Sequence, residues 1–360
     1  HVEPAEAFVI AVPTPIQENK SPDLSYVISA GRSIATVLKP GDLVILESTV
    51  SPRCTIDVLL PVLEESGLRA GEDFFLAHCP ERVLPGQIMH ELKYNNRVIG
   101  GINIESAQKA RDLYAVFVEG EMYLTDALTA ELCKLMENTF RDVNIALANE
   151  LAKICEQLGA NAWDVIEYAN KHPRVNLHCP GPGVGGHCLA VDPWFVVASA
   201  PEVSPLIELA RSINDSMPVY VAEKVRKLIP EGSKVTILGC TYKPDVDDLR
   251  ESPILNLIAL LKDRYEISVV DPFVERYNID LYRAAEGSDL IILGVHHKQF
   301  EDIDFKRLAK LVRDLKIFDT RNFLNRDDVL DAGFEYHLLG SIYTSDFSQK
   351  ATREVAVSNE

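Results

Sequence analysis

The chain has 360 residues, is 47% hydrophobic, and sets 36 Lys and Arg against 54 Asp and Glu for a formal net charge of −18. That length and apolar content suit two or three domains with sizeable cores, and no run of about eighteen apolar residues suggests a membrane span. The acidic balance argues against a nucleic-acid surface, which needs clustered Lys and Arg; a local basic pocket for an anionic small molecule remains compatible with it.

The first apolar run is Ala7-Phe8-Val9-Ile10-Ala11-Val12, a parallel-type strand only six residues into a chain without an initiator Met. The expectation is that an N-terminal segment of the first domain is missing. Strands near 7–12, 43–47, 74–77 and 97–99 alternate with amphipathic helices near 23–38, 53–66 and 104–117, the pattern of βαβ units. Residues 126–158 form one long helical pattern, capped by Asp126 or Thr129 and ended by Gly159. At 1.5 Å per residue it runs about 45–50 Å, long enough to connect domains and pack on a partner subunit. Helices near 161–170 and 204–229 are expected against it. Lys234-Val235-Thr236-Ile237-Leu238-Gly239 opens a second α/β domain with strands near 266–270, 289–294 and 316–318. The expected fold is α/β: two Rossmann-like doubly wound domains joined by a long central helix, the first truncated at its N-terminus. The divisions fall at 1–125, 126–230 and 231–345, with a loose tail at 346–360.

The seven cysteines are scattered without a Cys-x-x-Cys pair, which points to reduced thiols in a cytoplasm and to no disulfide framework or metal site. No signal peptide is expected. One cysteine stands apart. Cys188 follows the glycine-dense run Gly181-Pro182-Gly183-Val184-Gly185-Gly186-His187, with Asp192 one helical turn on. Glycines let a backbone approach closely, so Cys188 is a candidate covalent nucleophile; alone it could equally be a small buried residue in a tight turn. His187 beside it is not expected to form a dyad, because neighbours in an extended loop point apart. On the long helix Lys134 and Asn138 stand at i and i+4 with Arg141 next along, a pattern that stabilises an oxyanion or merely solvates a helix face.

His78-Cys79-Pro80-Glu81-Arg82-Val83-Leu84-Pro85-Gly86 follows a strand, where α/β folds place ligands, and Glu81 there is a candidate general base or an ordinary loop carboxylate. Pro13-Thr14-Pro15 and Glu47-Ser48-Thr49-Val50-Ser51-Pro52 also sit just past strands and either line a cofactor crevice or simply turn the chain. In the second domain, Ser252 and Pro253 read as the cap and first turn of a helix. Lys243 and Arg250 nearby could bind phosphate or pair with Asp245, Asp247 and Asp248.

Read together, GPGVGGHCLAVDPWF, AELCKLMENTFRDVNIALANELA, HCPERVLPG and YKPDVDDLRESP resemble the UDP-glucose/UDP-N-acetylmannosamine 6-dehydrogenase family over nearly the whole chain. His187 before the cysteine and Arg82 after the glutamate are most similar to its UDP-N-acetyl-D-mannosamine branch. The resemblance implies NAD-dependent four-electron oxidation of the sugar C6 alcohol to a carboxylate, yielding UDP-N-acetyl-D-mannosaminuronate for polysaccharide biosynthesis. Cys188 would capture the aldehyde as a thiohemiacetal and carry the thioester that water hydrolyses. Lys134 and Asn138 would hold the oxyanion and water, Asp192 would position or activate water or Lys134, and Glu81 would serve as base in the hydrolytic half. Val12, Pro13, Thr14, Glu47, Ser48 and Thr49 match the cofactor-facing loops, with Lys243 on the cofactor or sugar side of the hinge and Arg250 as a contact to substrate or cofactor phosphate.

Substrate contacts carried over are Glu81, Arg82, Val83 and Leu84, then Lys134, Asn138 and Arg141, then Gly183, Gly185 and Gly186, and finally Tyr242, Lys243 and Arg321. Arg174 resembles an arginine that reaches a neighbouring subunit's sugar site, implying a homodimer or higher homo-oligomer. The family opens with a strand, a GxGxxG turn and a helix for the NAD pyrophosphate, and no such unit precedes Ala7. The expectation is therefore weak or absent NAD binding by this polypeptide with UDP-sugar binding kept. UDP-N-acetylglucosamine or UDP-glucose are the rival substrates, and a silent UDP-sugar-binding module is the rival of another class; a generic hydroxyacid dehydrogenase leaves Cys188 unexplained.

Overall fold

The computed structural model describes residues 2–17, 19–83 and 87–342. Leu84 and the tail 346–360 lie outside the described residues. The chain divides into two compact units, residues 1–140 with 188–208, and residues 141–187 with 209–360. In chain order the elements are β1 (Ala7–Ile10), α1 (Ser25–Ala35), β2 (Leu43–Leu46), α2 (Leu60–Glu64), β3 (Phe75–His78), α3 (Ile88–Tyr94), β4 (Arg97–Gly101), α4 (Ile104–Tyr114) and β5 (Met122–Asp126). Helices α5 (Ala127–Leu158), α6 (Ala162–Ala169), α7 (Asp192–Ser199) and α8 (Pro205–Leu228) follow. The last third holds β6 (Lys234–Leu238), α9 (Pro253–Leu261), β7 (Glu266–Val270), α10 (Leu281–Ala285), β8 (Leu290–Leu293), α11 (Phe305–Leu308), β9 (Lys316–Asp319), α12 (Arg326–Asp331) and β10 (Glu335–Leu338).

The first unit is a five-stranded sheet in the order β1-β2-β3-β4-β5. Strand β2 is Leu-Val-Ile-Leu and buried at every position, as a strand covered on both faces must be. β1, β2 and β3 run parallel, but β4 pairs antiparallel to β3, against the expected unbroken βαβ series. The reason lies in the connection. Helix α3 buries none of its residues, so it offers no apolar face to pack on the sheet as a crossover, and the chain turns back instead. The expected helix at 53–66 is a π-helical turn, Thr55–Leu59, running into α2. Strand β5 and helices α3 and α7 were not expected. Helix α5 begins where Asp126 accepts from Thr129 N at 2.9 Å and from its hydroxyl at 2.6 Å, and it stops at Gly159, whose φ is +80°. Its first part, to Phe140, belongs to the first unit and the remainder to the second.

The second unit holds an all-parallel sheet ordered β10-β9-β8-β6-β7. Strand order reverses at β6, so the crevice beyond the carboxyl ends of β6 and β8 is a topological switch point, where open α/β sheets bind ligands. Ser252 caps α9 as expected, accepting from Ile254 N at 3.2 Å, with Pro253 in the first turn. The far end of β10 is tied down three times. Gly340 N donates to Glu156 Oε1 at 2.8 Å, Ala162 N to Gly340 O at 2.8 Å, and the Trp163 indole N–H to Leu339 O at 2.8 Å. Both domains are Rossmann-like α/β folds joined through α5.

Candidate active site

In the first unit the site grows from two helices that pack through apolar side chains. Leu135 of α5 clusters with Val191, Phe195 and Val196 at the start of α7. That packing sets Asn138, one turn beyond Lys134, against Asp192, and Asn138 Nδ2 donates to Asp192 Oδ2 at 2.5 Å. Asp192 is 3% exposed. Burial pushes its carboxyl up from 3.8 to about 6, while the Asn138 bond and the Lys134 charge pull the other way. Cys188 stands one turn before it: Val191 N and Asp192 N both donate to Cys188 O, at 3.0 and 2.8 Å. The Cys188 side chain is half-buried, and His187 beside it is exposed. Cys188, Asp192, Lys134 and Asn138 are thus gathered in one compact unit.

The loop after β3 is half-buried. Val83 N donates to the Glu81 carboxylate, and Arg82 forks onto Glu137, next to Asn138 on α5. Sequence reasoning missed Glu137, whose partner is 55 positions away. After β1 and β2, Val12 N donates to Ser48 Oγ at 2.7 Å, Ser48 Oγ donates to Val12 O at 2.8 Å, and the Thr14 hydroxyl donates to Thr49 O at 2.7 Å. Pro13 is exposed between them. The Glu47 carboxylate is committed inside the fold, accepting from Tyr114 OH at 2.5 Å with Arg97 at 3.7 Å.

In the second unit the glycine run is held from below by a buried polar chain that sequence reasoning did not find. Gly181 N donates to Asn149 Oδ1, Asn149 Nδ2 to Asn214 Oδ1, and Asn214 Nδ2 to Asp142 Oδ1, each at 2.9 Å, and Arg211 pairs with Asp142. A Cβ on Gly185 would lie 2.5 Å from Glu251 O, and one on Gly186, at φ +86°, would lie 2.8 Å from the Tyr242 ring. The close approach these glycines allow is to Tyr242 and the α9 entry; Gly183 lies against Pro253 of the same entry.

The Lys243 loop follows β6 and is clamped by Asp271, which accepts from Cys240 N at 2.7 Å and lies 3.1 Å from His297 Nε2. His297 Nδ1 in turn accepts from Asp245 N at 2.9 Å, which fixes the tautomer. The Arg250 guanidinium is given to Asp248, at 2.6 Å. Arg321 leaves β9 with Nε donating to Gly294 O at 3.1 Å, and burial lowers its pKa to about 10. Its Nη1 lies against Gly181, 2.5 Å from where a Cβ on that residue would stand. Arg141 and Arg174 are exposed. Among the described residues no group of His, Cys, Asp and Glu could hold a metal ion.

Comparison with known proteins bears on what this arrangement does. Models of the UDP-glucose/GDP-mannose dehydrogenase family match residues 1–118 (NAD binding domain), 128–216 (central domain) and 236–326 (UDP binding domain). The chain is 47% identical over 349 residues to a UDP-N-acetyl-D-mannosamine dehydrogenase of Methanocaldococcus jannaschii, covering 94% of this chain and 80% of that one. It is 45% identical over 338 residues to an NDP-N-acetyl-D-galactosaminuronic acid dehydrogenase of Ralstonia nicotianae, covering 89% and 79%. Among solved structures, the UDP-N-acetyl-D-mannosamine dehydrogenase of Pyrococcus horikoshii superposes with a TM-score of 0.87 at 42% identity, covering 93% and 81%.

Proposed function

The chain belongs to the UDP-glucose/GDP-mannose dehydrogenase family, an NAD-dependent family, and from that membership we propose that it oxidises UDP-N-acetyl-D-mannosamine to UDP-N-acetyl-D-mannosaminuronate. The observation that carries the chemistry is the buried Asn138–Asp192 pair, one turn from Cys188 and one turn from Lys134. The substrate assignment draws on the relatives, whose names are those of dehydrogenases of N-acetylated sugars; a UDP-glucose dehydrogenase from Pyrobaculum islandicum is only 25% identical.

NAD, when bound, accepts a hydride in each of the two oxidations. The turns after β1 and β2 would face its ribose and nicotinamide side, because the Thr14 and Ser48 hydroxyls tie the two turns together at the carboxyl ends of those strands. The described helix N-termini there do not fit its pyrophosphate. Arg53 N and Thr55 N, at the start of the helical turn after β2, donate to Glu131, and Ser25 N at the start of α1 donates to Asp23.

After the first oxidation, the Cys188 thiolate adds to the aldehyde carbon and the oxygen becomes an oxyanion. The Lys134 ammonium and the second N–H of the Asn138 amide stabilise that charge. Oxidation of this thiohemiacetal leaves a thioester, which holds the sugar until water cleaves it and restores the thiol. The Asp192 carboxylate orients Asn138 and draws a proton from the attacking water or from Lys134, while Glu81 acts as base in the same hydrolysis. Arg321 and Lys243, at the carboxyl ends of β9 and β6, bind the UDP anion, with Tyr242 and the glycines it packs on shaping that side; Arg82 and Arg141 contact the sugar. Seven cysteines without a disulfide support a reducing, cytoplasmic setting, and no described helix is long and apolar enough to cross a membrane.

The test counts NADH formed per UDP-N-acetyl-D-mannosamine consumed. About two per sugar is expected, with turnover falling by about a thousandfold or more in Cys188→Ala. Turnover of UDP-N-acetylglucosamine or UDP-glucose alone would change the substrate, and UDP-sugar binding with no NADH would replace the enzyme by a binding module.

We also propose a homodimer. Met136, Phe140, Leu147, Ile154 and Leu158 are exposed along α5, at spacings that keep them within about 40° of one another around a helix. A second copy presenting the same stripe would cover it.

A further inference from the structure

Glu131 precedes Lys134 by three residues and Asn138 by seven, so the three share one face of α5. It is 1% exposed, and its carboxylate accepts from Arg53 N at 2.6 Å, Thr55 N at 2.8 Å and the Thr55 hydroxyl at 2.6 Å. The turn it grips is strained. Arg53 sits at φ +72°, a left-handed conformation rare outside glycine, and the π-helical turn Thr55–Leu59 begins two residues later. The Arg53 side chain does not account for that backbone, because it points to solvent and pairs with Asp57. The gripped residues continue directly from Ser48, Thr49 and Ser51, and Cys54 N donates back to Ser51 O at 3.1 Å.

We infer that Glu131 is a positioning residue: its carboxylate takes the anion's place at the helix start after β2, holds the strained Arg53 turn, and so fixes the Ser48–Thr49 loop against the helix face that bears Lys134 and Asn138. The inference rests on the reading of that loop as cofactor-facing. A glutamine at 131 keeps the volume but turns one acceptor into a donor facing another N–H, which breaks the clasp at Arg53 or Thr55.

The experiment begins on the cofactor-free protein, by hydrogen exchange of Glu131→Gln. Residues 51–60 are expected to exchange about tenfold faster or more, with residues 281–308 unchanged. Equilibrium titration should then show NAD binding about tenfold weaker and UDP-sugar binding within about twofold of the parent. Adding Arg53→Gly should restore most of the loss, because glycine adopts positive φ without strain and needs no clasp to hold it. Unchanged exchange, an equal fall in both affinities, or no rescue by glycine overturns the inference. Should Glu131→Gln not fold, Thr55→Val removes one donor alone, and about threefold shifts on the same two scales decide the matter. A parent that binds no NAD overturns the functional reading, and the exchange result then decides the clasp on its own.

Discussion

Burial lifts the Asp192 carboxyl to about 6 although Asn138 donates to it and the Lys134 charge opposes the shift. Below about pH 6 the group is neutral and can no longer draw a proton, so kcat should fall on the acid side with an apparent pKa near 6. Asp192→Asn should flatten that limb and lower kcat by about a hundredfold or more, read from pH–rate profiles of the two proteins. Stability moves the other way. A carboxyl whose pKa is higher folded than unfolded stabilises the fold most below about pH 4 and loses that contribution as pH rises to about 6. Thermal melts at pH 8 should therefore show Asp192→Asn no less stable than the parent. Cys188 and Asp192 were legible in the sequence because they lie in one short motif. Glu131, Glu137 and Tyr114 were not, since each acts on partners 55 to 78 positions away and carries no local signature.

At the scale of elements, the glycine run is a joint between two packed surfaces. Gly185→Ala would drive a methyl group into Glu251 O and the Tyr242 Cβ, at 2.5 and 2.8 Å, and neither a backbone carbonyl nor a β-carbon can swing away. A loss of about 2–4 kcal/mol is expected, measurable as a lower midpoint in chemical unfolding. Long periodic elements were legible: α5 and α8 lie within a few residues of where the 3.6-residue pattern places them. Short ones were not. Helix α7 is Asp-Pro-Trp-Phe-Val-Val-Ala-Ser, nearly all apolar, so no face stands out; only Pro193 in its first turn and Asp192 beside the N-terminal amides mark it. Strands β5 and β10 are five and four residues long and make sense only beside β4 and β9. The direction of β4 was equally hidden, because a strand's apolar pattern reads the same both ways.

For the molecule as a whole, Leu147→Glu with Ile154→Glu should reduce the mass in solution to the 40.1 kDa of one chain, by light scattering, if α5 carries the dimer contact. The alternation of apolar strands with amphipathic helices foretold both α/β sheets. It could not foretell where the two units divide, since α5 keeps one unbroken helical period through residues 140 and 141. The ties at the end of β10 set an order of events during synthesis. Glu156 waits 184 positions for the Gly340 amide, and Trp163 waits 176 for the Leu339 carbonyl. At about 5–20 residues per second, the start of the second unit emerges roughly 10–40 seconds before the strand that completes it. Glu156 is carried through that interval with Tyr220 and Lys224, which arrive some 64 to 68 positions after it, as its earlier companions. The nascent chain can thus shelter this carboxylate by stages, and the tie at Glu156 closes only when β10 has left the ribosome.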